Sequence, residues 1–330
     1  KVLCIGDFHQ VPAELEDCDS LVDFILQVAQ EQKPDRILFT GDIYHYHNII
    51  RSESLYFWKK AFDKLSEFKI ISLVGNHDLN SESGPPEMHA LLAHESEIAV
   101  IDIPIDIGGV LFMPYRHDKE QFINECNASK SNTIICHQSF NGAKFDNGFY
   151  DPSGIDLDFI HQKKIIAGHI HLPQAFSKVQ YIGAPRWRTL SDANEDRNIW
   201  LFEFDSAGNV VKSTPFHTGG TCRRIWHFID TESEPIDLNS ILINSKDDFR
   251  FDIKGPANYI EQRTKEIKSA VPISKIRQIK VDNASIKIRE SDGIRTAFTK
   301  YRQSYKPKYG TPSDKLCNLS DTRLGFNNAA

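Results

Sequence analysis

The sequence has no Cys-x-x-Cys pair; its six cysteines, at 4, 18, 126, 136, 222 and 317, are scattered along 330 residues. That spacing excludes a zinc ribbon or a small disulfide framework and leads us to expect free thiols in a reducing, cytoplasmic setting. No run of eighteen apolar residues occurs, which excludes a membrane-spanning helix. There is no Met at the start: Lys1 runs straight into Val2-Leu3-Cys4-Ile5, a core-strand pattern. The expectation is a trimmed or partial chain with no signal peptide ahead of its first motif.

What is present is globular. Apolar residues make up 40% and charged residues 25%, and at about 150 residues per domain the length suggests two domains. The net charge of −6 hides an asymmetry. Residues 1–218 carry 19 Lys and Arg against 31 Asp and Glu, whereas residues 219–330 carry 20 against 14. An acidic first part suits cation binding and a basic second part suits an anionic partner; plain surface charge is the competing reading.

Short β-branched runs bounded by turn formers predict strands at 2–6, 37–41, 70–75, 98–103, 110–113, 133–137, 165–168, 179–183 and 199–204. Helical spacing predicts helices at 20–32 and 52–68, with two shorter ones opened by Pro86 and Asp118. Strand–helix alternation implies parallel pairing with crossovers. The texture changes near Thr218. A strand at 247–254, a helix at 256–271, strands at 275–281 and 285–288 and a helix at 291–304 form a small α+β unit, and the chain from Pro307 reads as a tail.

Five motifs follow apolar strands in order: Gly6-Asp7-Phe8-His9, Gly41-Asp42, Gly75-Asn76-His77-Asp78, His137, and Gly168-His169-Ile170-His171. The carboxyl ends of parallel strands converge on one crevice. The oxygen and imidazole groups delivered there suit divalent metals of intermediate hardness. Residues two apart, as in Asp7-x-His9 and His169-x-His171, share one side of an extended segment.

This pattern resembles the calcineurin-like metallophosphoesterase superfamily over residues 1 to about 205. The resemblance implies an α/β fold, a four-layer αββα sandwich followed by a small α+β capping domain and a C-terminal tail, divided at 1–218, 219–305 and 306–330. It also implies two divalent ions, Mn²⁺ foremost. Asp7, His9 and His171 would hold one, Asn76, His137 and His169 the other, with Asp42 between them. His77 would protonate the leaving oxygen, with Asp78 as its orienting carboxylate.

The segment Gly41-Asp42-Ile43-Tyr44-His45, with Arg51-Ser52 in place of an Arg-Gly, is similar to the SbcD-type nuclease subunits of double-strand-break repair and their tailed-phage recombination relatives. His137-Gln138 and Tyr181-Ile182-Gly183-Ala184-Pro185 add to it, although Ala184 stands where that group has Ser or Thr. This resemblance implies a Mn²⁺-dependent 3′→5′ exonuclease and single-strand endonuclease that pairs as a homodimer and works with an SbcC-like ABC-type ATPase. In it His45 would orient the phosphodiester.

Arg186 and Arg188, flanking Trp187, are candidate DNA contacts, as are Arg263, Lys265 and Lys268 in a segment, 254–310, that holds 14 Lys and Arg against 5 acids. Cys4 and Cys136 read as buried core thiols. His47, His89, His94, His117 and His161 read as ordinary surface residues. Two other functions compete: a phosphomonoesterase or small phosphodiesterase on the same site, and a DNA-binding scaffold without catalysis.

Overall fold

The computed structural model describes residues 1–280 apart from 146–147, 189–191, 193–194, 220–224, 227–228, 231–237, 239–247 and 273. The strand expected at 285–288, the helix at 291–304 and the tail lie outside the described residues. What is described forms two compact units.

The first unit is built on two six-stranded sheets. One is made of β1 (Val2–Ile5), β2 (Arg36–Phe39), β3 (Ile70–Leu73) and β4 (Ala99–Ile101), with β11 (Asn198–Phe204) and β12 (Val210–His217) beside β1. The other is made of β5 (Ile105–Ile107), β6 (Val110–Met113), β7 (Thr133–His137), β8 (Lys164–Gly168), β9 (Gln174–Phe176) and β10 (Val179–Tyr181), in the order β5-β6-β7-β8-β10-β9. The inner strands pair in parallel, and antiparallel strands close three of the four edges, β4 being a parallel edge strand.

Alternation along each strand builds the layers. Val2, Cys4, Leu38, Ile71 and Leu73 of the first sheet meet Val110, Phe112, Ile135 and Ile166 of the second in one shared core. Leu3, Ile5, Ile37 and Phe39 point the other way, onto α1 (Leu15–Gln32) and α2 (Ser52–Lys64). Leu111, Met113, Ile134 and Cys136 pack on Phe122 and Cys126 of α3 (Lys119–Ala128). Strands buried on both faces need apolar residues at every position, which is why they read as unbroken runs. The result is the four-layer αββα sandwich.

Several boundaries differ from expectation. α1 begins at Leu15 rather than at Ser20, because Glu16 and Asp17 favour a helix start near its positive end. It stops at Lys33, left-handed at φ 49° with its N–H on the Ala29 carbonyl, just before Pro34. α2 ends at Lys64, short of 68. Pro86 opens no α-helix; the segment instead forms a single 3₁₀ turn at Ala90–His94. β5, β9 and β12 are short or polar edge strands that carry no apolar run. Asp118 does cap α3, accepting from the backbone N–H groups of Glu120 and Gln121.

α4 (Ala257–Ala270), in the second unit, follows a strand at Asp248–Gly255 that pairs with another at Lys275–Lys280. Ile260 and Ile267 form its buried seam. Among the described residues, no helix is long and apolar enough to cross a membrane. Cys4, Cys18, Cys126 and Cys136 are buried free thiols, and burial pushes Cys18 up to about 11. Cys222 and Cys317 lie outside the described residues.

Candidate metal centre

β1, β2, β3, β7 and β8 end side by side, and the five motifs sit on those ends. Close approach there depends on glycine. Gly41 sits at φ 108°, and a Cβ on it would lie 2.5 Å from His137 Nδ1; a Cβ on Gly75 would strike the Asp42 carboxylate.

The side chains gather in two groups that share Asp42. In the first, His9 Nε2 lies 2.9 Å from His171 Nε2 and 3.5 Å from Asp42 Oδ2. Asp7, His9 and Asp42 bring one donor atom each within 4.8 Å of the others. In the second, Asn76 Oδ1 lies 2.9 Å from His137 Nε2 and 2.8 Å from His169 Nδ1, while His137 Nε2 is 3.3 Å from Asp42 Oδ2. Ligands at about 2.1 Å from one ion stand about 3 Å apart, so both groups have the spacing of donors around a cation.

Asp7 Oδ2 is buried and meets no hydrogen-bond donor, an unmet demand that a cation satisfies. The residues present therefore fit a divalent pair. Three of them, His9 (φ 46°), Asp42 (φ 53°) and His169 (φ 84°), hold left-handed backbone conformations that are unfavourable for residues other than glycine. Such strain persists where the surrounding structure over-determines it.

Electrostatics agree. Burial drives His9 well below its usual range and His169 down to about 3, leaving their ring lone pairs available. Burial opposes ionisation of Asp42, yet His137, His9 and His77 hold it well below the carboxylate range. Burial also disfavours charge on His137, but Asp42, Asp7 and the Thr40 carbonyl raise it to about 9. His137 Nδ1–H is on Thr40 O at 2.9 Å, so the additional proton sits on Nε2, the atom that faces Asn76 and Asp42.

A cation at Nε2 must displace that proton. Below about pH 9 His137 is protonated, so metal affinity is expected to fall about tenfold per pH unit as pH drops. Calorimetric Mn²⁺ titrations at pH 7 and pH 8, in buffers of different ionisation enthalpy, should show that drop and release of about one proton. An affinity that does not change with pH would show that no protonated His137 gives up a proton when the ion binds.

His77 and His45 line the same cluster without belonging to either donor group. His77 N–H donates to Asp42 Oδ1 at 2.8 Å, and His77 Nδ1 is 2.7 Å from the His45 carbonyl. His45 Nδ1 lies 3.4 Å from His9 Nδ1 and 3.3 Å from an Arg188 guanidinium nitrogen. Burial, with Arg188 and His77 nearby, lowers His45 to about 4. His9, His45 and His77 also bring nitrogen atoms within 4.8 Å of one another.

Four expectations need correction. The Asp78 carboxylate is not set against the His77 ring: its oxygens accept from the backbone N–H groups of Asp42, Gly75 and Tyr44. It fastens the Asp42 loop to the Asn76 loop, and burial together with Asp42 raises it to about 7.

Arg186 is 1% exposed, and its guanidinium donates to the Phe8 and His9 carbonyls and pairs with Glu14. It braces the first motif from behind, where it presents no charge to DNA. Trp187 is likewise buried, with its indole N–H on the Glu195 carbonyl. His89 and His94 are buried rather than superficial, and His94 Nε2 meets the Tyr44 hydroxyl at 2.6 Å.

Arg188 stays at the site's edge, its backbone N–H held by Asp192 and its guanidinium beside Glu14. In the second unit, Arg263 pairs with Glu266, and Lys265 pairs with Glu261 at 2.9 Å. Arg263 and Lys265 are thus partly neutralised within the helix.

Sequence reading missed three residues around the donors: Thr40, whose carbonyl sets the His137 tautomer; Tyr115, stacked on His169 at 5.9 Å; and His47. Thr40 and Tyr115 carry no motif signal, because one acts through its backbone and the other by packing.

Residues 1–239 match the calcineurin-like phosphoesterase family. Over 235 residues the chain is 28% identical to exonuclease subunit 1 of Enterobacteria phage T4, an alignment that covers 66% of this chain and 69% of that protein. A nuclease structure from Pseudomonas putida aligns with 65% of this chain and 87% of its own, at 12% identity and a TM-score of 0.31.

Proposed function

Because this chain belongs to the calcineurin-like phosphoesterase family, and so is a metal-dependent phosphoesterase, we propose that it cleaves DNA. In this reading it acts as a 3′→5′ exonuclease on duplex ends and as a single-strand endonuclease, with Mn²⁺ as its working ion. The observation that carries the reading is the pair of donor groups joined at Asp42, with His77 hydrogen-bonded to the same carboxylate. Similarity to a phage exonuclease subunit supports a nucleic acid as the substrate.

Asp7, His9, His171 and Asp42 would hold one ion, and Asn76, His137, His169 and Asp42 the other. The bound pair supplies Lewis acidity and neutralises phosphoryl charge. The protein supplies the rest. His77, with Nδ1 occupied by the His45 carbonyl, presents Nε2 to protonate the departing oxygen. Arg188 and His45 flank the ions and would orient non-bridging phosphate oxygens. Imidazole donors without thiolate favour Mn²⁺ over Mg²⁺.

One side-by-side assay tests this: purified protein with end-labelled duplex DNA and with p-nitrophenyl phosphate, in Mn²⁺, Mg²⁺ or excess EDTA. Cleavage of DNA, better in Mn²⁺ than in Mg²⁺ and abolished by EDTA, is expected. Hydrolysis of the monoester alone would make it a phosphomonoesterase, and no hydrolysis of either would make it a scaffold.

The wider setting we propose is a cytoplasmic repair or recombination complex with an SbcC-like ATPase. Within it the chain pairs with a second copy. On the two stretches proposed to pair, 52–68 and 86–94, Leu55, Tyr56, Met88 and Leu92 are exposed, while Leu91 is buried in the core. Light scattering should show a mass that rises toward a dimer with concentration; a monomer throughout would end that proposal.

The basic segment at 219–305 would grip the DNA backbone. Neutralising Arg263, Lys265 and Lys268 should then weaken duplex binding for every sequence and make the salt dependence shallower, by up to about 0.9 in log–log slope per lost phosphate contact. The internal pairing of Arg263 and Lys265 predicts less than three full contacts. No change in affinity or slope would leave these residues as surface charge.

A further inference from the structure

His47 belongs to neither donor group, yet it is packed against the residue proposed to donate the proton. The His77 ring stacks with two nearly parallel imidazoles: His45 at 5.6 Å and 9°, and His47 at 4.6 Å and 22°. His9 meets it edge-on at 4.7 Å. His47 Nδ1 is 3.3 Å from the Leu79 carbonyl, and Leu79 N–H reaches back to Asn76 O. A residue of the Asp42 loop thus clasps the Asn76–Leu79 loop and covers one face of the His77 ring. The His45 carbonyl fixes the ring's edge through Nδ1.

We propose that His47 is a positioning residue for His77: its stacked ring fixes the imidazole plane and aims Nε2 at the departing oxygen. The inference rests on the reading of His77 as proton donor. In that step a water oxygen bonds to phosphorus as the bond from phosphorus to the departing oxygen breaks. That oxygen leaves as an alcohol with the His77 proton, and solvent reprotonates the imidazole and takes up the proton of the attacking water. A proton donor tilted off its line loses most of its effect, because a displacement of about 1 Å costs on the order of 10²-fold. Catalytic groups are held true by packing on neighbours rather than by their own rotamers.

The test varies the leaving group and keeps the rest of the substrate fixed. The p-nitrophenyl, phenyl and methyl esters of thymidine 5′-phosphate share one phosphodiester and differ in how much the departing oxygen needs a proton. With the full chain in Mn²⁺, His47→Ala should lower kcat on the methyl ester by on the order of 10- to 100-fold and on the p-nitrophenyl ester least, with the bound Mn²⁺ count unchanged. His47→Phe, which keeps a flat ring, should recover much of the loss.

An equal fall on all three esters, or no fall on any, would overturn the proposal. His77→Ala separates the two layers of the argument. If it fails to steepen the leaving-group dependence, His77 is not the donor and the underlying reading is at fault. If His77→Ala steepens it and His47→Ala does not, only the role of His47 fails.

Discussion

Replacing His77 with alanine is expected to cut DNA turnover by about 10²–10⁴-fold, the range for loss of a general acid, with the bound metal count unchanged. The geometry supports both halves. His77 hydrogen-bonds Asp42 through its backbone N–H, and its ring Nδ1 is taken by the His45 carbonyl. The ring nitrogen left over faces a cluster that already has seven donors. Alanine keeps the backbone N–H on Asp42 and removes only the proton source. The competing outcome is concrete, because His77, His9 and His45 also bring nitrogens within 4.8 Å of one another. If elemental analysis of His77→Ala shows an ion missing, His77 is a ligand and the acid must be sought elsewhere, first at His45.

Asp42→Ala should do more damage: turnover below detection and loss of at least one ion. Asp42 reaches both donor groups, at 3.5 Å from His9 and 3.3 Å from His137, and its other oxygen holds the His77 backbone. Its anionic charge is sustained against burial by the surrounding imidazoles. Without it, neither ion retains its shared carboxylate, and a buried His137 loses the charge that raises it. Asp42→Asn keeps an acceptor for His77 N–H but not the charge. It should stay folded and still bind metal poorly, which separates loss of structure from loss of the ion's partner. An Asp42→Asn protein that retains two tightly bound ions and normal turnover would show that the carboxylate does not bridge.

That the five motifs gather at one place was legible in the sequence for a physical reason. β1, β2, β3, β7 and β8 are apolar on both faces, so each stands out as an unbroken run, and each run ends at Gly, Asp, Asn or His. Parallel pairing then brings those ends to one edge. Other features were not legible because distant partners set them. The left-handed backbones of His9, Asp42 and His169 run against residue preference and exist because neighbouring loops impose them.

Arg186-Trp187-Arg188 looks like a surface cluster, yet Arg186 is drawn inside by carbonyls nearly 180 residues away in sequence. Asp78 follows His77 directly and invited a pairing between neighbours, whereas its oxygens bind three backbone N–H groups on two loops. His47 had no motif around it, and only the fold lays it on His77. Short edge strands such as β5 and β9 bury too little to leave a periodic signal.

The most direct measurement is the equilibrium binding stoichiometry of Mn²⁺ on the purified full chain, followed by electron paramagnetic resonance at a pH near 8. Two ions per chain, magnetically coupled through a shared ligand, and loss of that coupling in Asp42→Ala are the predicted result. One ion per chain, or two that remain coupled when Asp42 is gone, would contradict a two-metal centre joined at this carboxylate.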